Sequence, residues 1–91
     1  MQRPIDEDDL LIVYALHQAW QYRELFKPNQ IISRLGAYAL HGRRPKRVFH
    51  MDLGIGREAY QMYDRLDFLK HACGTEIYHV SQLEEVTSAV A

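Results

Sequence analysis

Sulfur chemistry is nearly missing from this chain: Cys73 is the only cysteine in 91 residues. A lone cysteine forms no internal disulfide, so an oxidising compartment is neither required nor suggested. Long apolar runs are missing too. The longest, Leu10 to Leu16, spans seven residues, against the roughly 20 that a membrane helix needs. The opening MQRPIDEDD is polar and acidic, the opposite of a basic-then-apolar signal peptide. Neither sign of charge is in excess: 11 Lys and Arg stand against 12 Asp and Glu, a formal net charge of −1. That balance excludes a uniformly basic coat for nucleic acid and a strongly acidic mimic of it. Repeats, low-complexity tracts and Ser- or Gly-rich linkers are lacking as well. These absences predict one cytoplasmic domain, residues 1–91, with no membrane partner.

Hydrophobic residues make up 47% of the chain and charged residues 25%, a composition that folds. A domain this small buries a smaller share of its surface than a longer chain, so binding to a partner or to itself matters to its stability.

Local punctuation predicts the elements. Asp6 reads as an N-cap, Glu7 to Asp9 place negative charge in a first turn, and Ile5 and Leu10 take the positions of a hydrophobic staple. A helix over about 7–26 comes next, with Leu10, Val13, Tyr14, His17 and Trp20 on one line and Ile12, Leu16 and Ala19 on a neighbouring one. The competing reading is a strand at 10–15. Pro28 ends that helix and Asn29 caps a second, carrying Ile31, Ile32, Leu35, Tyr38 and Ala39 up to a stop at Gly42. Val48 to Leu53 reads as a short strand and 54–56 as a turn. A third helix over about 57–72 has Ala59, Met62, Tyr63, Leu66 and Leu69 on one face and ends at Gly74. Glu76 to Val80 is a second strand, and Ser81 to Glu84 is a capping box opening a short last helix. The expected class is therefore α+β and helix-dominated, in the order α-α-β-α-β-α. Its small sheet would be two-stranded and parallel, with all-α as the alternative.

The strongest local signal is the basic loop 43–47, which holds four of the 11 cations. Arg43, Arg44 and Arg47 offer planar forks for phosphate and Lys46 a compact charge, while Tyr38 and Phe49 flank the loop as candidate stacking platforms. The plain alternative is a solvated loop whose charge complements a helix C-terminus. Capping accounts for all four carboxylates of 6–9, and neighbouring helical residues point about 100° apart, which makes joint metal coordination awkward. Asp52-Leu-Gly-Ile-Gly-Arg57, between a strand and a helix, offers backbone N–H groups to an anion. Position 59 is Ala where a dinucleotide fingerprint has its third Gly, so a Gly-assisted turn is the better reading.

None of the five histidines (17, 41, 50, 71 and 79) is paired with another at i, i+4, and no Cys–His spacing resembles a zinc site. His50 and His79 come together only if their strands pair, with Asp52 as a further member. His71 suits the end of its helix, and Cys73 reads as a core thiol rather than a reactive one. Six tyrosines and Trp20 carry large rings with polar tips, suited to core edges and to interfaces. Trp20, Tyr22, Tyr60 and Phe68 are the candidate interface aromatics, part of an apolar surface larger than one small core can cover.

The sequence thus predicts a small non-enzymatic regulatory or inhibitory protein that binds another protein or itself as a homodimer. It implies no catalytic set, cofactor or metal. The alternative is a nucleic-acid-binding regulator using the basic loop. An enzyme built on His50, Asp52, His79 and Arg57 comes third and requires those side chains to converge.

Overall fold

Asp9–Val13 is buried at every position in the computed structural model, which describes residues 3–87. These five residues form strand β1, not the first turns of a helix. A run of Leu, Leu, Ile and Val with no polar face is what a central strand covered on both sides requires. Ile31–Ser33 is β2, Arg47–His50 is β3 and Glu76–His79 is β4. All pairings are parallel, in the order β2-β1-β3-β4.

Several expectations are corrected here. The sheet has four strands rather than two, and β1 and β2 replace parts of both predicted N-terminal helices. Each of these strands leads into a 3₁₀ crossover, Leu16–Tyr22 after β1 and Arg34–Leu40 after β2. The all-α alternative fails against a chain with about 19% strand. The β-branched pair Ile31-Ile32 pairs with Leu11 and Ile12, and tertiary burial there overrides a helical spacing that looked complete.

In the second half, helix α1 (Arg57–Cys73) runs between β3 and β4 and stops at Gly74 in the left-handed region, φ 72°. A short helix α2, Leu83–Thr87, comes after β4.

Alternation along the strands splits the core in two. Leu10, Ile12, Ile32 and Val48 face Met62, Leu66 and Leu69 of α1, together with Leu40 and Leu53. Leu11, Val13 and Phe49 face Phe26 and Leu83 on the other side, with Tyr22, Ile5 and Val86 half-buried around them. The β1–β2 connection thus lies on one face, and the β2–β3 and β3–β4 connections lie on the other. A change of face with a change of direction is what crossovers of one hand require. No helix among the described residues is long and apolar enough to cross a membrane.

Candidate functional site

In an open parallel sheet, ligands favour the crevice beyond the strand C-termini where the order reverses, here between β1 and β3. The chain fills that crevice with its own side chains. The Tyr14 ring lies just past β1 and closes on Gly54, where an added Cβ would stand 3.1 Å from Tyr14 Cε2. The Arg34 guanidinium lies over the same ring at 4.3 Å, and its Nη1 is 4.0 Å from Glu58 Oε2. Gly54 and Gly56 adopt φ 75° and 114°, so the segment from Asp52 to Arg57 is a glycine turn into α1. Glu58, in the first turn, already sets a negative charge at the helix start.

The parallel pairing of β3 and β4 sets His50 opposite His79, with ring centroids 5.6 Å apart and planes at 83°. Tyr63 of α1 also packs edge-on against the His50 ring, at 5.9 Å. A groove of about 450 Å³ runs alongside, lined by His50, Tyr63, Asp64, Asp67, Lys70 and Ile77. Asp52 turns instead to its own loop and accepts the Gly54 N–H at 3.3 Å, while Arg57 is exposed at the start of α1. Among the described residues, no group of three or more His, Cys, Asp or Glu is placed to share a metal. The proposed four-residue constellation therefore reduces to its two histidines.

At the opposite end of the sheet, the basic loop meets the acidic start of the chain. Arg47 is buried, with Nε 3.0 Å from Asp9 Oδ1 and Nη2 on Asp9 Oδ2. Nη1 also donates to the carbonyl of Arg3 at 3.0 Å and Nη2 to that of Pro4 at 2.8 Å. The hydrogen bond and the charge of Asp9 hold the Arg47 guanidinium above its usual pKa. Lys46 pairs with Asp8 at 3.6 Å, both side chains well exposed. Arg43 is half-buried and Arg44 exposed. Phe49 is fully buried, stacked on Tyr78 at 5.4 Å. Of the predicted phosphate contacts, Arg47 and Phe49 are thus core groups, and Tyr38, Arg43, Arg44 and Lys46 retain access to solvent. The Asp6–Asp9 carboxylates are not helix caps. Asp9 pairs with Arg47 across the first rung of the sheet, and Asp8 pairs with Lys46 beside it.

The interface aromatics divide similarly. Tyr22 is half-buried against the Phe26 cluster, and burial raises its pKa. Tyr60 and Phe68 are exposed on α1, with the Arg65 guanidinium over Phe68 at 4.8 Å. Trp20 is 70% exposed and Leu16 62%. Both belong to the first crossover, which buries none of its seven residues. They border an open pocket of about 490 Å³ whose walls include Ala19, Phe26, Pro28 and Ile31. The Arg23 guanidinium sits 4.0 Å above the Trp20 ring and donates to Trp20 O at 2.8 Å. Sequence reasoning put Leu16 and Trp20 on a buried helix, so it missed the shape of this surface. The signal was the strand reading of 10–15, which turns the residues after it into a surface crossover. No known protein family, curated protein or solved structure matches the chain.

Proposed function

We propose that this chain is a non-catalytic regulatory or inhibitory protein that acts by binding protein, through the face made by the Leu16–Tyr22 crossover. The observation that carries the reading is a seven-residue 3₁₀ segment with no buried residue, presenting Leu16 and Trp20 beside an apolar pocket. Runs of 3₁₀ helix this long are uncommon and weakly bonded. Covering Leu16 and Trp20 would contribute about 1.5–3 kcal/mol for each side chain. Trp and Arg are enriched at the centres of binding surfaces, and the Arg23 contact holds the indole in place before a partner arrives.

Light scattering across a concentration series, then titration of captured proteins against purified chain, tests the proposal. The expected result is self-association or a defined complex that Trp20→Ser and Leu16→Ser both weaken, with Trp20 emission shifting on binding. A strict monomer that captures no protein overturns it, as does a complex indifferent to both substitutions.

A further inference from the structure

We infer that the outer edge of β2 pairs with the same edge of a second copy of this chain, antiparallel about a two-fold axis at Ile32. The direction of the β2 backbone groups follows from β1. The Met51 N–H donates to the Ile12 carbonyl at 2.9 Å, so Ile12 turns its backbone groups toward β3. Leu11 and Val13 therefore turn theirs toward β2. In the register Leu11↔Ile31, Ile12↔Ile32, Val13↔Ser33, those two residues bracket Ile32, whose N–H and carbonyl complete the β1 ladder. Ile31 and Ser33 face the other way. The Ile31 N–H donates to the Pro28 carbonyl. As the N-cap of Arg34–Leu40, Ser33 commits its carbonyl to that segment. What is left on the outer edge is one acceptor, the Ile31 carbonyl, and one donor, the Ser33 N–H. Among the described residues neither meets another partner.

Turned end for end, this edge is its own complement. With Ile32 opposite Ile32, the Ser33 N–H of each copy meets the Ile31 carbonyl of the other. Those are the two bonds that frame a non-hydrogen-bonded antiparallel pair, and such self-complementary patches make two-fold dimers. Sheet edges that stay single are blunted by charge, proline or a covering segment. The far edge is blunted: β4 carries Glu76 and His79, both exposed, and Gln82 accepts the His79 N–H. Antiparallel pairing there would also set the two Glu76 carboxylates diagonally against each other. β2 is Ile-Ile-Ser, with no charge and no proline. Arg34, the next residue, is drawn away over Tyr14 and toward Glu58. Leu16 and Trp20 stand beside Ile31 around one pocket, and Leu35 follows the strand, 58% exposed. The two backbone bonds fix register and direction, and these apolar flanks supply the affinity. A standard interface takes about 800 Å² from each partner, and the flanks with the strand edge are where that area is found.

The dimer draws on the proposed crossover face for its flanks, so it rests in part on that reading. Sedimentation of the full chain over a concentration series, together with amide hydrogen exchange, tests it. A reversible dimer is expected. The Ser33 amide, free in the monomer, should exchange more slowly as the dimer fills, while the Ile77 amide on the far edge keeps its rate. Ser33 has φ −80° and ψ 166°, a backbone proline accepts, and its N–H takes no part in the β1 ladder. Ser33→Pro should weaken the dimer by about tenfold or more. Ser33→Ala loses the same hydroxyl cap but keeps the N–H, and should stay within about threefold of the unaltered chain. A monomer at every concentration, protection at Ile77 in place of Ser33, or equal dimer affinity in the two variants overturns the pairing. The exchange measurement needs no variant, so a misfolded Ser33→Pro would not obscure the answer. A monomer that still forms a Trp20-dependent complex with another protein overturns the dimer and leaves the crossover face standing.

Discussion

Arg47 and Asp9 stand opposite each other on the first rung between β3 and β1, and their buried side chains form an ion pair. Through this pair and its bonds to the carbonyls of Arg3 and Pro4, Arg47 holds β1 and the residues before it to the centre of the sheet. Removing one partner of a buried pair leaves the other charge without compensation, at a cost of about 3–5 kcal/mol. Arg47→Met and Asp9→Leu should therefore each come close to unfolding a domain of this size. The double replacement should recover much of the loss, because an apolar pair leaves no stranded charge. Urea denaturation of the three variants measures this. Simple addition of the two single losses would show that the pair is not the source.

Gly36 and Gly42 separate steric from conformational requirements. Gly36 sits at φ −97°, a backbone open to any residue, but an added Cβ would lie 2.5 Å from Ile32 Cγ2. Gly36→Ala should cost about 1–3 kcal/mol by overpacking the second crossover against β2. Gly42 has φ 80° and nothing within 4 Å of a built Cβ. Gly42→Ala should cost about 1 kcal/mol through its left-handed backbone alone, and Gly42→Asn should recover part of that. Thermal melts of the three rank the effects. No measurable loss at position 36 would contradict the contact.

These residues also show which parts of the fold the sequence could reveal. The second half was legible because its signals are local. The apolar face of α1 repeats at helical spacing, glycines bracket it, and β3 and β4 are short runs between turns. Asp9–Val13 lacks any such period, since a strand covered on both faces looks like a buried helix. What decides the matter, the pairing of Asp9 with Arg47, lies 38 residues away. The same distant contact explains why Arg47 looked like a surface cation and Asp6–Asp9 like a capped helix. The site was legible only in conditional form. His50 and His79 meet because β3 and β4 pair in register, which no spacing in the chain could state. The exposed Leu16–Trp20 face stayed hidden because it depends on β1 being a strand.

Tyr78 should be among the late tyrosines to titrate. Its hydroxyl donates to Glu76 Oε1, and that hydrogen bond is the main reason its pKa rises, with burial and the Glu76 charge adding to it. A group whose pKa is raised on folding stabilises fully below its unfolded value, about 10. That contribution is lost as pH climbs from about 10 through the higher folded value. Tyr78→Phe should remove this component of alkaline unfolding, and Glu76→Ala should bring the Tyr78 transition down toward the ordinary value. Tyrosinate absorbance against pH reads both. An unchanged titration in Glu76→Ala would remove the hydrogen bond as the cause.

Gln30 is the buried polar clasp between the N-terminal segment and the first crossover. Its Nε2 donates to the carbonyls of Asp6 at 2.7 Å and Asp9 at 2.8 Å, and its Oε1 accepts the Lys27 N–H at 3.0 Å. Gln30→Ala strands those partners and should cost about 1–3 kcal/mol. Gln30→Glu keeps the shape but turns a carboxylate oxygen toward two carbonyl oxygens, so it should be worse than alanine at neutral pH. It should improve as pH falls, because a protonated carboxyl can donate one of the lost hydrogen bonds. Denaturation of both variants at about pH 7 and about pH 4.5, on either side of a carboxyl group raised by burial, checks the sign. Amide exchange at Lys27 checks the place. A glutamate variant that loses stability on acidification, relative to the unaltered chain, would mean that the two carbonyls are not what Gln30 satisfies.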